Sequence, residues 1–276
     1  CAMSIGGYCH FNEGGAGKGR YFSINVFGYD LMILQDPESR ILGHGAVVWD
    51  AAVVFVKYME KNSKDFDPVK LSQKRVLELG SGCGLAGIAY MLRGAAVTLT
   101  DLPNVVLTLT ERNAQTIYSQ VSTLLLNDAA AYGSLSIQKP KVHSIDWTEA
   151  ASRSVHLNES SENGISFQMD NLVNHEDKYD VVLLTDCVFS ASLVNDLVKT
   201  ILNHVEEKAT VICCHEIRDE EANAAFLLEF SNYFEWKRIP KSKLDVEYSN
   251  DLIEIIVGKL KKKSKKSHCI SSTIVN

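Results

Sequence analysis

The central part of the chain alternates short apolar runs with segments of helical periodicity. An apolar run of about four to eight residues between polar or glycine-rich segments is typical of a strand buried on both faces. Such runs are VLEL (76–79), AVTLT (96–100), KVHSI (141–145), YDVVLLTD (179–186), ATVICCHE (209–216), FEWKRI (234–239) and LIEIIVGK (252–259). Helical patterns follow several of them, for example at 193–205 and 220–230. This order predicts an α/β fold with a doubly wound, mostly parallel, seven-stranded sheet.

The two ends of this region depart from the alternation. The last two runs follow each other closely, which predicts an antiparallel strand at the C-terminal end of the sheet. Near the other end, YFSINVF and DLMILQ predict an N-terminal β-hairpin at 21–35, joined at Gly28 and Tyr29. The segment 45–60 is apolar on most faces, as expected for a buried helix.

Composition divides the 276 residues into three parts. We expect a disordered, glycine-rich N-terminal segment at 1–20, one folded domain at 21–258 and a lysine-rich tail at 259–276. Two polar stretches, at about 127–140 and 148–177, are interpreted as surface insertions of the domain.

The net charge of −6 hides a strong separation of charge along the chain. Six lysines and no acids lie within 259–266, so the rest of the chain carries −12. An acidic body argues against a nucleic-acid partner. No apolar run reaches the roughly 18 residues that a membrane-spanning helix needs. The tail itself is either a nuclear signal or interaction tail, or a solvated disordered end.

The seven cysteines are scattered along the chain, and no C-x-x-C pair occurs. Several fall in apolar runs, where cysteine acts as a small hydrophobic residue. We therefore expect a reducing compartment, the cytoplasm and as a second location the nucleus, and no metal site. We also expect a monomer that does not associate with a membrane.

Residues 76–101 carry the clearest chemical signal. A strand that contains Glu78 leads into a glycine-rich loop and then a helix, and the next strand ends on Asp101. Glycines in such a loop let the backbone approach a ligand closely, and the helix N-terminus offers free N–H groups. An acid about 20 residues further on suits the two hydroxyls of a ribose. The segment therefore predicts a site for a cofactor that contains a nucleoside.

Two cofactors are compatible with the loop. Residues 82–87 fit G-x-G-x-x-G, the fingerprint of a nicotinamide or flavin dinucleotide. Residues 78–84 fit E-x-G-x-G-x-G, the form that binds S-adenosyl-L-methionine. No constellation for hydride transfer is evident elsewhere, so S-adenosyl-L-methionine is favoured, with S-adenosyl-L-homocysteine as the product. A glycine-rich turn without any ligand is the structural alternative.

Several motifs together carry a family resemblance. They are VVWDAA (47–52), VLELGSGCGLAGI (76–88), VTLTDL (97–102), DW (146–147), LLTDCVF (183–189), VICCHE (211–216) and IPKSKLDVEYSNDLIEII (239–256). On these segments, over about residues 21–260, the chain resembles the class I, seven-β-strand methyltransferases, which have a Rossmann-like fold. Among them it is most similar to the methyltransferase-16 family of protein lysine methyltransferases. The glycine loop is common to all class I enzymes, whereas the motifs at 49–50, 146–147 and 186–189 are more specific to this family.

The resemblance implies roles for individual residues. Glu78 would hold the loop or the amino group of the cofactor, Asp101 would accept both ribose hydroxyls, and Trp147 would cover the adenine with Asp146 near its amino group. Asp186 would orient the target amine, and Phe189, where tyrosine is more usual, would wall the methyl path. Glu216 is a further candidate for orienting the target. The expected cofactor-binding residues are Trp49, Glu78, Gly80, Ser81, Gly82, Gly84, Asp101, Asp146, Trp147 and Thr185, and the expected catalytic residues are Asp186 and Phe189.

For three of these residues, a purely structural role is the alternative. Trp49 and Trp147 could be packing residues, and Asp101 could cap the helix that follows it. For the whole chain, the resemblance implies a protein lysine methyltransferase, with a AAA-type ATPase or a chaperone as a candidate substrate. A small-molecule methyltransferase, an NAD-linked oxidoreductase and a non-catalytic cofactor-binding or interaction module are the alternatives.

Overall fold

A computed structural model describes residues 20–127, 135–153 and 177–262. Its main element is a seven-stranded sheet in the order β5-β4-β3-β6-β7-β9-β8. The seven strands are β3 (Arg75–Leu79), β4 (Ala96–Asp101), β5 (Lys141–Ser144), β6 (Tyr179–Thr185), β7 (Val205–Glu216), β8 (Phe234–Arg238) and β9 (Ile253–Leu260). All neighbours from β5 to β7 pair in parallel, and β9 runs antiparallel to both β7 and β8. The predicted mixed sheet and its antiparallel C-terminal strand are confirmed.

The predicted N-terminal hairpin is also confirmed, with a small correction to its turn. It consists of β1 (Arg20–Val26) and β2 (Tyr29–Gln35), which form a separate two-stranded sheet. The turn lies at Phe27 and Gly28 and not at Gly28 and Tyr29, because Val26 pairs directly with Tyr29. Both turn residues have positive φ, 51° and 84°, as a tight two-residue hairpin turn requires.

Helices cover the sheet. They are α1 (Asp50–Lys61), α2 (Pro68–Leu71), α3 (Leu85–Leu92), α4 (Glu111–Asn127), α5 (Trp147–Arg153), α6 (Val194–His204) and α7 (Glu220–Tyr233). A helical turn at Pro103–Val105 and a π-helical turn at Val106–Thr110 lead into α4. Their apolar faces and the strands of the sheet form two clusters of buried side chains, one of which also packs against the hairpin.

The buried helix expected at 45–60 begins later than predicted. A 3₁₀ turn at Gly43–Ala46 comes first, Trp49 has extended backbone angles, and α1 begins at Asp50. The apolar pattern upstream of Asp50 belongs to a chain segment that packs against the core without being helical. Gly45 shows how close this packing is, because a Cβ there would lie 2.6 Å from the Val105 side chain.

The order of the strands creates a crevice at one end of the sheet. The chain runs from β3 outward to β5 and then returns to β6 on the other side of β3. Open α/β sheets bind their ligands at such a switch point, beyond the carboxyl ends of the strands. The carboxyl ends of β3 and β6 are followed by the glycine loop and by Asp186, respectively.

A single buried amide joins the hairpin to the glycine loop. Asn113 on α4 is only 2% exposed. Its Oδ1 accepts a hydrogen bond from Leu34 N at 2.8 Å, and its Nδ2 donates to Leu34 O and to Cys83 O, both at 2.9 Å. The hairpin therefore fixes the position of α4 and of the loop together.

Some expectations fall outside the described residues. These are the disordered segment at 1–20, apart from its last residue, and most of the insertions and of the lysine-rich tail. Strand β9 ends at Leu260, so it includes the first two residues of the predicted tail. No helix in the three described ranges has both the length and the apolar character needed to span a bilayer.

We predict that Asn113→Ala lowers the free energy of unfolding by about 2–4 kcal/mol, because three buried hydrogen bonds are lost and their backbone partners stay buried. Denaturant unfolding measures this change. Gln115→Ala is the control, since Gln115 is exposed on the same helix and its side chain donates a hydrogen bond to the neighbouring Ser119. Equal stabilities of the two variants would contradict the proposed joint.

Candidate functional site

A cavity of about 440 Å³ opens at the carboxyl ends of β3, β4 and β6. Its walls come from the 3₁₀ turn before α1, the glycine loop, the end of β4, the start of α5 and the segment after β6. The residues that line it include Trp49, Gly80, Ser81, Gly82, Gly84, Asp101, Asp146, Trp147, Thr185, Asp186 and Phe189. The structure thus brings together eleven of the twelve residues that the sequence predicts for the site.

The glycine loop has a backbone that other residues rarely adopt. Gly80, Gly82 and Gly84 have φ values of 64°, 52° and 85°. At Gly80 a Cβ would also lie 2.7 Å from Cys187 Sγ and 3.2 Å from the Trp147 ring. The loop therefore lies against β6 and α5 at a distance that only glycine allows.

Asp101 fixes the loop from the neighbouring strand. Its Oδ2 accepts a hydrogen bond from Gly82 N, and its Oδ1 accepts one from Leu102 N, both at 2.7 Å. Burial raises the pKa of Asp101, and these two hydrogen bonds oppose the rise. The short helical turn after Asp101 has Leu102 at its N-cap position, without a hydrogen bond from a side-chain cap. Asp101 therefore does not cap this turn. Each carboxylate oxygen has further lone-pair capacity toward the cavity.

Glu78 lies beneath the loop and does not line the cavity. Its side chain is fully buried, and Oε2 accepts a hydrogen bond from Gly87 N at 3.0 Å, near the start of α3. Burial raises the pKa of Glu78 to about 8, while the Gly87 N–H and the nearby hydroxyls of Ser81 and Thr185 lower it. Those hydroxyls face the carboxyl without forming a hydrogen bond of ordinary geometry to Oε1. Of the two expected roles, the contacts of Glu78 serve the holding of the loop.

Trp147 and Asp146 occupy the start of α5. Asp146 Oδ1 accepts hydrogen bonds from Thr148 N at 2.9 Å and from Thr148 Oγ1 at 2.6 Å, which caps the helix. The Trp147 ring lies against Gly80, and its centroid is 6.3 Å from that of Phe189. Trp147 therefore forms the wall between the glycine loop and Phe189, and its expected contact with an adenine stays a prediction.

Asp186 has a strained backbone at the end of β6. Its φ is 58°, an uncommon value for a residue other than glycine, although aspartate tolerates it better than most. Its N–H donates to Cys214 O at 2.8 Å, and its Oδ1 accepts from Glu216 N at 2.9 Å. Two bonds to β7 thus hold the strained turn, which aims the carboxylate at the cavity wall. Strain of this kind is often found at functional sites.

Arg218 completes the surroundings of Asp186. Its guanidinium lies 3.2 Å from Asp186 Oδ1 and also contacts the Glu216 carboxylate. The same guanidinium lies over the Trp49 ring, 4.5 Å from its centroid. The Trp49 Nε1–H donates to His44 O at 2.7 Å, which fixes the plane of the indole.

A third carboxylate shares this electrostatic environment. The pKa of Asp50, the first residue of α1, is raised to about 6, first by burial and then by the negative charges of Glu216 and Asp186, while Arg218 lowers it. Asp50, Asp186, Glu216 and Arg218 therefore interact electrostatically beside Trp49. This end of the site has an excess of negative charge.

Sequence reasoning missed two features of the site. The His44 ring lies 5.0 Å from that of Phe189 and helps to close the cavity. Arg218 has a weak sequence signal, because it comes two residues after Glu216 in a strand-to-helix connection at the ligand-binding end of the sheet. His44 lies between two glycines and has no comparable signal.

Comparisons with known proteins give the family. A model described as lysine methyltransferase matches residues 29–139 and 144–232, which is most of the chain. The chain belongs to the lysine methyltransferase family. The resemblance in the motifs of the sequence is thereby confirmed.

Individual relatives agree with this family. The protein-lysine methyltransferase METTL21E of Bos taurus is 25% identical over 226 residues, which are 82% of this chain and 63% of that protein. The protein N-lysine methyltransferase METTL21A of Danio rerio is 53% identical over 60 residues, 22% of this chain and 25% of that protein. The chain spans less than two thirds of the length of these relatives. The crystal structure of SMU.776 complexed with SAH has a TM-score of 0.50 at 14% identity and covers 87% of this chain and 56% of that one, which shows the shared fold.

We predict that Glu78→Gln changes how stability depends on pH. The folded-state pKa of about 8 lies above the ordinary 4.5, so the folded protein keeps a proton that the unfolded chain releases. The wild-type free energy of unfolding should therefore fall between about pH 4.5 and pH 8, with a contribution from Glu78 of roughly 4 kcal/mol. Glutamine stays neutral and lacks this contribution. Chemical unfolding of both proteins at pH 5 and pH 8 measures the difference, and parallel pH profiles would contradict a buried, protonated Glu78.

Proposed function

We propose that this protein transfers a methyl group from S-adenosyl-L-methionine to a lysine side chain of a protein substrate. The observation that carries the proposal is the cavity at the switch point, with Asp101 and the glycine loop on one side and Asp186 on the other, in a chain of the lysine methyltransferase family. The EEF1A lysine methyltransferase 3 of Mus musculus is 46% identical over 76 residues, which are 28% of this chain and 30% of that protein. It supports a protein lysine as the acceptor.

The residues of the cavity fit the proposed cofactor. Gly80 lies so close to Cys187 and Trp147 that a Cβ there would clash, so the loop backbone itself forms this part of the cavity wall. Asp101 uses each carboxylate oxygen for one backbone N–H and can accept one hydroxyl of a ribose on each as well. Trp49 and Trp147 provide aromatic faces, which suit an adenine or a sulfonium. When bound, S-adenosyl-L-methionine would supply an activated methyl group on sulfur.

The protein's own task on the acceptor side is to desolvate and orient an amine. A free lysine with a pKa of about 10.4 is mostly protonated at pH 7, and the neutral form lies roughly 4.6 kcal/mol higher at ~1.36 kcal/mol per unit. Asp186 would attract the ammonium and direct its nitrogen, and enclosure by Phe189 and the indoles would favour loss of the proton to water. Because the proton can leave to water, no dedicated base is needed. Correct positioning can lower the barrier by a further amount of about 7–11 kcal/mol.

We further propose the cytoplasm as the location, with the nucleus as a second one, and a monomer without nucleic-acid or membrane partners. The buried cysteines 83, 187, 213 and 214 are free, which suits a reducing compartment. The lysine-rich tail supports the nucleus as a second location, and the acidic charge of the remaining chain argues against a nucleic-acid partner. A AAA-type ATPase or a chaperone stays the candidate substrate.

We predict that Asp101→Ala weakens binding of S-adenosyl-L-homocysteine by at least about 100-fold, because two hydrogen bonds to a charged acceptor are each worth about 1.5–3 kcal/mol. Titration calorimetry measures the affinity, and a melting curve checks the fold. Asp180→Ala is the matched control, since Asp180 lies at the opposite end of β6 and contacts Lys74 and Arg75. An affinity within threefold of wild type for Asp101→Ala would refute its role.

We predict that Asp186→Asn lowers methyl transfer on the order of 100-fold, the loss typical of a misplaced reactant, while cofactor affinity changes less than threefold. Asparagine tolerates the positive φ, so the backbone turn is retained. The assay incubates each variant with labelled S-adenosyl-L-methionine and cell-extract proteins and identifies methylated lysines by mass spectrometry. Full turnover of Asp186→Asn at unchanged cofactor affinity would remove Asp186 from the acceptor site.

A further inference from the structure

Arg218 makes contacts that resemble those of a bound ligand. Its guanidinium is held by two carboxylates, those of Asp186 and Glu216, and lies on the face of Trp49. Two acids and an aromatic ring form the set of groups with which proteins bind organic cations. Asp186 and Trp49 both line the cavity.

The arginine reaches this position from the surface. It follows β7 and precedes α7 in a connection of three residues, Ile217 to Asp219. The Arg218 side chain is 36% exposed, whereas the side chains of Asp186 and Glu216 are 3% and 19% exposed. The cation is therefore the most accessible member of the cluster, and it can swing into solvent with less rearrangement than its partners would need.

The charges around Arg218 require a cation at this place. The negative charges of Asp186 and Glu216 are close enough to Asp50 to raise its pKa, and the positive charge of Arg218 lowers it. If Arg218 moves out alone, Asp186 keeps its backbone hydrogen bond from Glu216 but loses its ion pair in an enclosed site. An incoming ammonium of equal charge would restore the balance of charge.

We propose that Arg218 fills the acceptor-ammonium site in the free protein, and that a substrate lysine binds by displacing it. This inference rests on the proposed function. Because Arg218 competes for the site, free amines bind weakly, and a protein substrate needs contacts elsewhere on its surface to displace the arginine. Arg218 is thus a specificity-determining residue, which does not itself take part in methyl transfer.

A second arginine, Arg238 on β8, provides a matched comparison. Arg238 pairs with Glu254 at 2.5 Å and lies over the Trp236 ring at 5.1 Å. It makes the same kinds of contact as Arg218, but none of these three residues lines the cavity. Its removal should therefore leave the binding of an amine at the cavity unchanged.

The test measures binding of n-butylammonium, a mimic of the lysine side chain, to the protein saturated with S-adenosyl-L-homocysteine. The signal is the shift of the Trp49 indole N–H in NMR spectra. Arg218→Gln is expected to bind n-butylammonium at least tenfold more tightly than wild type, and Arg238→Gln is expected to match wild type. The double variant Arg218→Gln with Asp186→Asn should lose the gain, and n-butanol, which has no charge, should show no difference between variants.

Equal affinity of wild type and Arg218→Gln for n-butylammonium would overturn the proposal. If Arg218→Gln does not fold, as judged by its melting curve, the wild-type protein decides. Saturation with n-butylammonium should then shift the Arg218 side-chain N–H signal and leave that of Arg238 in place, and an unmoved Arg218 signal would also overturn the proposal. Binding of S-adenosyl-L-homocysteine is measured separately. A failure of the proposed cofactor to bind is therefore distinct from a failure of the amine to displace Arg218.

Discussion

The hydrogen bond from Gly82 N to Asp101 Oδ2 is the interaction on which the site depends. It joins the loop after β3 to the end of β4, and it fixes one of the many conformations open to a glycine-rich backbone, here with positive φ at Gly80 and Gly82. Thr110 adds a second tie, because its hydroxyl donates to Gly82 O at 2.7 Å. With the loop fixed, the crevice between β3 and β6 stays open, and the walls from α5 and the segment before α1 close around it.

The two ends of the cavity differ in their chemistry. At the end near the glycine loop, Asp101 accepts two backbone hydrogen bonds, and the buried Glu78 beneath the loop accepts one. At the other end, Asp186 and Glu216 face a guanidinium and an indole. A neutral, hydrogen-bonding slot therefore adjoins an anionic, aromatic one, which is the arrangement that a nucleoside on one side and a cationic side chain on the other would need.

Local sequence patterns predicted most of the fold and the glycine loop with Asp101, whereas the family resemblance predicted Trp49, Asp146, Trp147, Asp186 and Phe189. The strands were predicted because fully buried strands appear as apolar runs. The loop was predicted because several closely spaced glycines indicate a backbone that turns sharply and approaches a ligand. The predicted start of α1 was wrong. Apolar residues just before Asp50 pack against the core without forming an α-helix, and their pattern mimics helical periodicity. Arg218 was missed because its partners come together only in the tertiary structure: Trp49 lies 169 positions earlier in the numbering and Asp186 lies on a different strand end.

The central claim is that the crevice beyond β3 and β4 binds an adenosyl sulfonium and not a dinucleotide. Equilibrium dialysis of the wild-type protein against labelled S-adenosyl-L-methionine, with NAD⁺ or S-adenosyl-L-homocysteine as unlabelled competitor, tests it most directly. The account predicts saturable binding of one molecule per chain that S-adenosyl-L-homocysteine abolishes and excess NAD⁺ leaves unchanged. Displacement of the label by NAD⁺, or no binding of the label at all, would contradict it.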